Sequence, residues 1–299
     1  MYQNNTAPLV TIVIPTQNRN IQLKKLLNSI EKSTFKNYEI IIVNDSKEPL
    51  IINNNLILKV INNNSSSGLA YSRNSGAKYA SGEYVLFIDD DNQIDKNMIK
   101  ELIQLIRSNN LIHAVGPITY YNKSKNKLWF AGANYNFYTT KPKFFTVEDF
   151  SEKNSISVGI IHNCLMVKRS SGEKVGWFDE FINMGGTEFD LLMKIRKLDT
   201  NILFKISKKA ICYHDIDLPT KNFFRNLGFN KSQRVYYFQR NRAVFIKKYG
   251  NWAHKLLLTY INYPIFLIIY GLIFLYYRKY NYFLAQGRGV FDGYKYLIK

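Results

Sequence analysis

Residues 81–93, SGEYVLFIDDDNQ, close an apolar run with three consecutive aspartates and an asparagine, in a chain whose formal net charge is +19. Carboxylates gathered at the end of a strand meet something cationic: a metal, a basic neighbour, or only water. Two further polar clusters end apolar runs, PTQNR (15–19) and NDS (44–46). One strand ending in Asp is ordinary, because Asp starts turns and caps helices. Three such ends in succession point to one shared crevice. Arg73 bears on the same crevice. On a helix it shares a face with Leu69, Gly76, Ala77 and Ala80, small or apolar residues expected to face a sheet. A guanidinium turned inward is costly unless a carboxylate or phosphate meets it. Arg73 is therefore expected either to bridge to a sheet-end aspartate or to serve an anionic ligand and its acid cluster.

The elements that would position these groups follow from periodicity. LVTIVIP reads as a buried strand closed by Pro15, YEIIIVNDS as a second, LILKVINNN as a third and EYVLFIDDD as a fourth. NIQLKKLLNSIEKS carries Ile21, Leu23, Leu26, Leu27 and Ile30 at helical spacing. GLAYSRNSGAKYASG, between Gly68 and Gly82, and KNMIKELIQLIRS are further helices, and IHAVGPI is strand-like. Strand and helix alternating at this spacing predict an α/β fold of right-handed β-α-β units on a mostly parallel sheet. Ligands of such sheets bind outside the carboxyl ends of the strands, where the polar clusters fall. No GxGxxG follows the first strand and no GxxxxGK[ST] occurs, which removes the common dinucleotide and P-loop readings.

Composition narrows the class. Hydrophobic residues are 46% of the 299, enough for a sizeable core and against wholesale disorder. The two cysteines, Cys164 and Cys212, have no metal-ligand spacing, which argues against a zinc site or a disulfide scaffold and fits a reducing compartment. MYQNNTAPLV lacks the basic-then-apolar pattern of a signal peptide, as expected of a cytosolic chain. From Leu218 to Phe291 there is no acid, while Lys221, Arg225, Lys231, Arg234, Arg240, Arg242, Lys247, Lys248 and Lys255 recur. LLLTYINYPIFLIIYGLIFLYY (256–277) follows, then Arg278 and Lys279. A basic, aromatic-rich segment leading into an apolar one predicts contact with an anionic membrane surface rather than nucleic acid, which needs no apolar segment. Thr259, Asn262 and Pro264 interrupt the apolar run, so a kinked span and an in-plane or re-entrant helix both fit, the latter favoured.

Five segments taken together resemble the family 2 glycosyltransferases: VTIVIPTQNR, EIIIVNDS, GLAYSRNSGAKYASGEYVLFIDDDN, GWFDEFINMGGTEFDLLMKIRK, and HDI followed by YYFQRNRAVFIKKY. They occur in the family's order over residues 8 to 250. The resemblance implies the GT-A fold, a Rossmann-like sheet flanked by helices, and inverting transfer from a nucleotide-diphosphate sugar (UDP-, GDP- or dTDP-linked). It implies a catalytic domain over 1–218, with a nucleotide-binding half at 8–115 and an acceptor half at 116–218. A basic segment (219–255) and an apolar membrane-associating segment (256–299) would follow.

The resemblance also implies roles. Thr16, Asn18 and Arg19 would hold base and ribose, and Asp45 would accept from the base. Asp89 and Asp91 stand at the ends of the DxD motif and Asp90 between them; with the diphosphate they suit Mn²⁺ or Mg²⁺, Asp91 being favoured as the direct ligand. Many relatives carry Glu-Asp-x-Asp where this chain has Thr187, Glu188, Phe189 and Asp190. Glu188 then falls at the catalytic base, and Asp190 either joins it or serves as a helix N-terminal acid. His214 aligns with a histidine brought to the metal or diphosphate. Arg240 and Arg242 would close on the diphosphate or contact lipid headgroups. His113, His162 and His254 receive no role. The acceptor would be a lipid-linked glycan or polyprenyl phosphate at the cytoplasmic face of the membrane, with the protein peripheral, monotopic or single-span. A processive polysaccharide synthase or a degenerate nucleotide-binding, membrane-anchored module are the alternatives.

Overall fold

The computed structural model describes residues 7–50, 52, 58–63, 68–218, 224, 229 and 231–298. Part of the expected third strand and of the basic segment, including Lys221 and Arg225, lies outside the described residues. By its contacts the chain divides into two compact units. The first comprises Met1–Ala133, Phe144–Glu180 and Glu188–Leu218, and the second Asn134–Lys143, Phe181–Thr187 and Pro219–Lys299.

The first unit is the expected α/β unit. Strands β1 (Val10–Thr16), β2 (Tyr38–Asn44), β3 (Leu58–Asn62) and β4 (Tyr84–Ile88) form a parallel group in the order β3-β2-β1-β4. Helices α1 (Asn20–Glu31), α2 (Leu69–Ala77) and α3 (Met98–Arg107) connect them or follow them, and β5 (Asn92–Ile94) comes directly after the acid cluster. Alternation decides the layers. Ile12 and Ile14 of β1 join Leu23, Leu26, Leu27 and Ile30 of α1 and Met98, Ile99 and Leu102 of α3 in one core. Val13, between them, faces α2, where a Cβ at Gly76 would lie 2.3 Å from Val13 Cγ1. The α2 backbone thus lies almost directly on β1.

Two expectations are corrected here. Ile21 is 73% exposed, because it falls opposite the Leu23–Ile30 stripe. Leu69 is 39% exposed, so the buried face of α2 is Ala70, Ser72, Arg73, Gly76 and Ala77, residues small enough for that close contact apart from the arginine.

The sheet continues through β6 (Ile112–Tyr121), β7 (Ser124–Phe130), β10 (Ser155–Ser157), β11 (Cys164–Lys168) and β12 (Leu203–His214), while β8 (Ala133–Asn136) and β9 (Lys141–Phe144) form a separate hairpin that belongs mostly to the second unit. β11 is antiparallel to both β4 and β6, with Cys164 opposite Ile88. The residues entering β11 therefore stand at the end of the sheet where β4 leaves. β6 and β12 run parallel, and β5 pairs antiparallel with the end of β12, placing His214 opposite Asn92. Helices α4 (Arg169–Val175) and α5 (Thr187–Arg196) complete this part.

The second unit is mainly helical: α6 (Ser232–Tyr249), α7 (Trp252–Leu257), a π-helical turn over Leu258–Asn262, α8 (Tyr263–Tyr276) and α9 (Tyr280–Ile298). α9 packs along α6, so closely that a Cβ at Gly289 would meet Tyr236 O at 2.5 Å.

Candidate active site

The aspartates of the cluster divide among three basic groups: Asp89 meets Arg73, Asp90 and Asp91 share Arg19, and Asp91 also meets His214. Asp89 Oδ1 accepts from Arg73 Nη2 at 2.8 Å. Asp90 accepts from Thr16 Oγ1 (2.7 Å) and Arg19 Nη1 (3.1 Å). Asp91 Oδ2 accepts from the same Arg19 nitrogen at 2.8 Å, and His214 Nε2 stands 3.2 Å from Asp91 Oδ1. The turn that fans them out is held by a buried amide pair. Asn92 Nδ2 donates to Asp89 O and Asn163 Oδ1, while Asn163 Nδ2 donates back to Asn92 Oδ1.

At the ends of β1 and β2 the backbone makes the second wall. Asn18 adopts φ 55°, a conformation asparagine tolerates better than most residues, and its N–H donates to Ser46 Oγ. Asp45 is buried, accepting from Asn63 Nδ2 (3.2 Å) and, at 3.4 Å, from the Gly68 N–H that opens α2.

Arg73 is completely buried and links two segments far apart in sequence. Its Nη1 lies 3.0 Å from Glu188 Oε1 while Nη2 holds Asp89. Arg73 therefore meets carboxylates of the protein, the first of the two expected outcomes. Glu188, in the first turn of α5, is 8% exposed, with His162 Nδ1 3.8 Å from its other oxygen. Asp190, two residues on, is fully buried in the same turn.

Burial works against every charge in this group; neighbours overcome it at Glu188, Arg73 and Asp91, and burial prevails at Asp90. For Glu188 burial raises the pKa, but Arg73 and then His162 pull it well below the usual carboxylate range. Burial likewise disfavours the Arg73 cation, yet Glu188 and Asp89 outweigh it and strengthen its hold on the proton. Asp90 is lifted to about 6 by burial, against its bonds to Thr16 and Arg19. For Asp91 burial again pushes upward, and His214 with Arg19 brings it below the ordinary value.

Among the described residues no three His, Cys, Asp or Glu side chains gather as a metal cage. Asp91 and His214 nevertheless suit one edge of a divalent ion. Asp91 Oδ1 is buried without a hydrogen-bond partner beside the imidazole Nε2, and a hard cation that brings ligand oxygens needs few protein donors.

Arg240 and Arg242 are both on α6, in the second unit. Arg240 donates to Phe181 O and Asn241 Oδ1 and stacks over the Phe181 ring. Arg242 donates to Thr140 O and Oγ1 and lies over Phe266.

His162, which borders the donor-sugar region in the resembling family, receives no role from the sequence, and neither does Asn163 or Trp129, whose ring meets that of His214 edge-on at 4.4 Å. His162 and Asn163 are brought in because β11 enters the sheet beside β4 and reversed, which an apolar run does not reveal, whereas Trp129 lies on β7.

The model of the family described as "Glycosyl transferase family 2" matches residues 11–176. An uncharacterized glycosyltransferase of Haemophilus influenzae is 27% identical over 203 residues, 67% of this chain and 66% of that protein. A Campylobacter jejuni GalNAc(5)-diNAcBac-PP-undecaprenol beta-1,3-glucosyltransferase is 31% identical over 105 residues, 32% of this chain and 34% of its own. The matches thus span less than two thirds of these relatives' lengths. Among solved structures, GalNAc-T7 with UDP, GalNAc and Mn²⁺ superimposes with a TM-score of 0.59 at 17% identity, covering 89% of this chain and 59% of that one, a likeness of fold.

Proposed function

The chain belongs to glycosyl transferase family 2, and from that premise we propose that it is an inverting, metal-dependent transferase moving a sugar from a nucleoside diphosphate to a hydroxyl acceptor. The observation that carries this reading is the bridge from Glu188 through the buried Arg73 to Asp89: one guanidinium ties a buried, ionised carboxylate to the acid cluster. Thr16, Asn18, Arg19 and Asp45 would frame the nucleoside, and Arg19, half exposed and held by Asp90 and Asp91, would have to exchange those bonds to reach the phosphates. Asp91 and His214 would hold Mn²⁺ or Mg²⁺, which when bound neutralises the departing diphosphate.

In transfer, the acceptor oxygen bonds to the anomeric carbon as that carbon's bond to the diphosphate oxygen breaks, and the hydroxyl proton passes to a Glu188 carboxylate oxygen. Arg73 keeps Glu188 ionised over the neutral range. The cost is weak basicity, which suits a hydroxyl that becomes acidic only as the new C–O bond forms. Asp89 holds Arg73 in place, and Asp190, buried in the first turn of α5, either joins Glu188 or serves as a helix N-terminal acid.

A lipid-linked glycan is the acceptor class we favour. It is the class named for the Campylobacter relative, and the C-terminal helices offer an apolar surface on which to meet it. The continuous helix Trp252–Tyr276, 25 residues, is long and apolar enough to cross a bilayer. Its inner face, however, is fastened along its length: Tyr263 Oη donates to Gln239 O, Gln286 Nε2 to Phe266 O and Tyr294 Oη to Thr259 O. A spanning helix would have to leave all three partners. The outer face carries Ile265, Ile268, Leu272 and Tyr276, exposed by 44 to 82%. We therefore favour a monotopic helix lying in one leaflet.

Nucleotide-sugar turnover with added Mn²⁺ tests the function. Glu188→Gln should retain donor affinity and lose transfer by about 10² or more. UDP affinity with no turnover by the unmodified protein would instead support the binding-module alternative.

A further inference from the structure

The second unit contains a cleft built without any residue of the acid cluster. It has a volume of about 370 Å³, within the range of small-ligand sites, and is lined by the β8–β9 hairpin and α7, chiefly Asn134, Asn136, Phe137, Tyr138, Lys143 and His254. Asn136 Oδ1 accepts from the backbone N–H groups of Tyr138 and Thr139, which shapes the hairpin turn. Asn262 Nδ2 donates to Tyr138 O at 2.7 Å and ties that turn to the π-helical segment before α8. The rings of Phe137 and Tyr138 stand 5.5 and 4.7 Å from that of His254.

The state of His254 is set by its own helix. Its Nδ1 accepts from the Asn251 N–H at 3.2 Å, while its backbone N–H donates to Asn251 Oδ1 at 3.0 Å. The neutral ring then carries its proton on Nε2. That Nε2 is buried and has no partner among the described residues.

We propose that this cleft binds a saccharide, the glycan portion of the acceptor. Aromatic faces suit the C–H face of a sugar ring. The Lys143 ammonium and the two asparagine amides suit its oxygens, which an acyl chain would leave unmet, while the His254 ring backs the Phe137 and Tyr138 rings. Among the described residues no carboxylate lines the cleft, so neither a cation nor a cationic headgroup suits it. That the saccharide belongs to the acceptor rests on the transferase reading above; the binding does not.

The test is saturation-transfer NMR on the full chain in lipid nanodiscs, with the donor site filled by UDP and Mn²⁺. The probes are methyl β-glucoside, diacetylchitobiose, laminaribiose and octyl β-glucoside. The expected result is saturation of the ring protons of at least one probe, with Kd weakened tenfold or more by Tyr138→Ala and by His254→Gln. Tyr138 is 63% exposed and only its backbone holds Asn262. Glutamine at 254 can still close the helix cap. UDP affinity should be unchanged in both variants. Silence from every probe, equal signals in the variants, competition by UDP, or saturation confined to the octyl chain would each overturn the proposal. Sugar turnover measured in parallel separates the two readings. Cleft-dependent binding without turnover leaves the cleft and removes the transferase reading, and turnover without such binding does the reverse.

Discussion

Arg73 is the residue on which the acid cluster and the proposed base both depend. Removing one member of a buried ionic group leaves the others uncompensated, at a cost of about 3–5 kcal/mol. Arg73→Met should therefore destabilise the protein on that scale and abolish transfer. The sign with pH follows from Glu188, whose folded pKa lies well below its ordinary value. Its contribution is complete above the unfolded carboxylate value of about 4.3 and is lost as pH falls through the folded one. The gap between wild type and Arg73→Met in urea melts should thus be widest at pH 7 and narrow below pH 4. Asp90 has the opposite sign. Raised to about 6 by burial, it favours folding when protonated, so stability falls as pH rises from about 4 through 6. Asp90→Asn, neutral at every pH, should melt higher than wild type in EDTA above pH 6 and converge with it near pH 4. A constant offset between the two curves would show that Asp90 is not the titrating group.

At the scale of elements, the close contact of α2 with β1 aims Arg73 at Asp89 and Glu188. A Cβ at Gly76 would press into Val13, and overpacking of this kind costs about 1–3 kcal/mol. Gly76→Ala should lower both stability and turnover, and Val13→Ala in the same chain should restore part of each; two additive losses would contradict the steric account. The sequence revealed the parallel half of this arrangement well. β1, β2, β4, α1 and α3 stand where their apolar periods put them, and Thr16, Asp45 and the three aspartates do close one end of the sheet. Arg73 was legible as an inward guanidinium, because a cation on the same helix face as Gly76 and Ala77 is tolerable only opposite an anion. The antiparallel entry of β11 was not legible, since CLMVK carries no information about direction. His162 and Asn163, which that strand delivers, were missed for the same reason. The outward turns of Ile21 and Leu69 show the limit of spacing alone: the first turn of a helix can carry an apolar residue on its free side.

Across the whole molecule, charge and hydropathy are segregated along the chain. No acid occurs between Leu218 and Phe291, and the apolar helix in that stretch exposes one face and packs the other. Removing the C-terminal helices would be a poor test of membrane contact, because α9 packs along α6 and its loss would uncover buried Ala243 and Ile246. Charges placed on the exposed face make the cleaner experiment. Ile265→Glu, Ile268→Glu and Leu272→Glu, at sites 44%, 61% and 64% exposed, should leave the fold intact. They should nevertheless release the protein from anionic liposomes, since insertion of apolar area and attraction of basic groups both oppose new carboxylates at the surface. The unmodified protein should resist release by salt alone, because screening weakens the charge contribution and leaves the apolar one. UDP affinity should be the same in the triple variant and the unmodified chain, as the proposed nucleotide site is built from residues of the first unit. Transfer to a water-soluble acceptor should also survive, and transfer to a lipid-linked acceptor in vesicles should fall with membrane binding. A triple variant that sediments with liposomes as fully as the unmodified protein would show that this face is not the membrane contact. Loss of activity on both acceptors together would show that the face serves the catalytic unit instead.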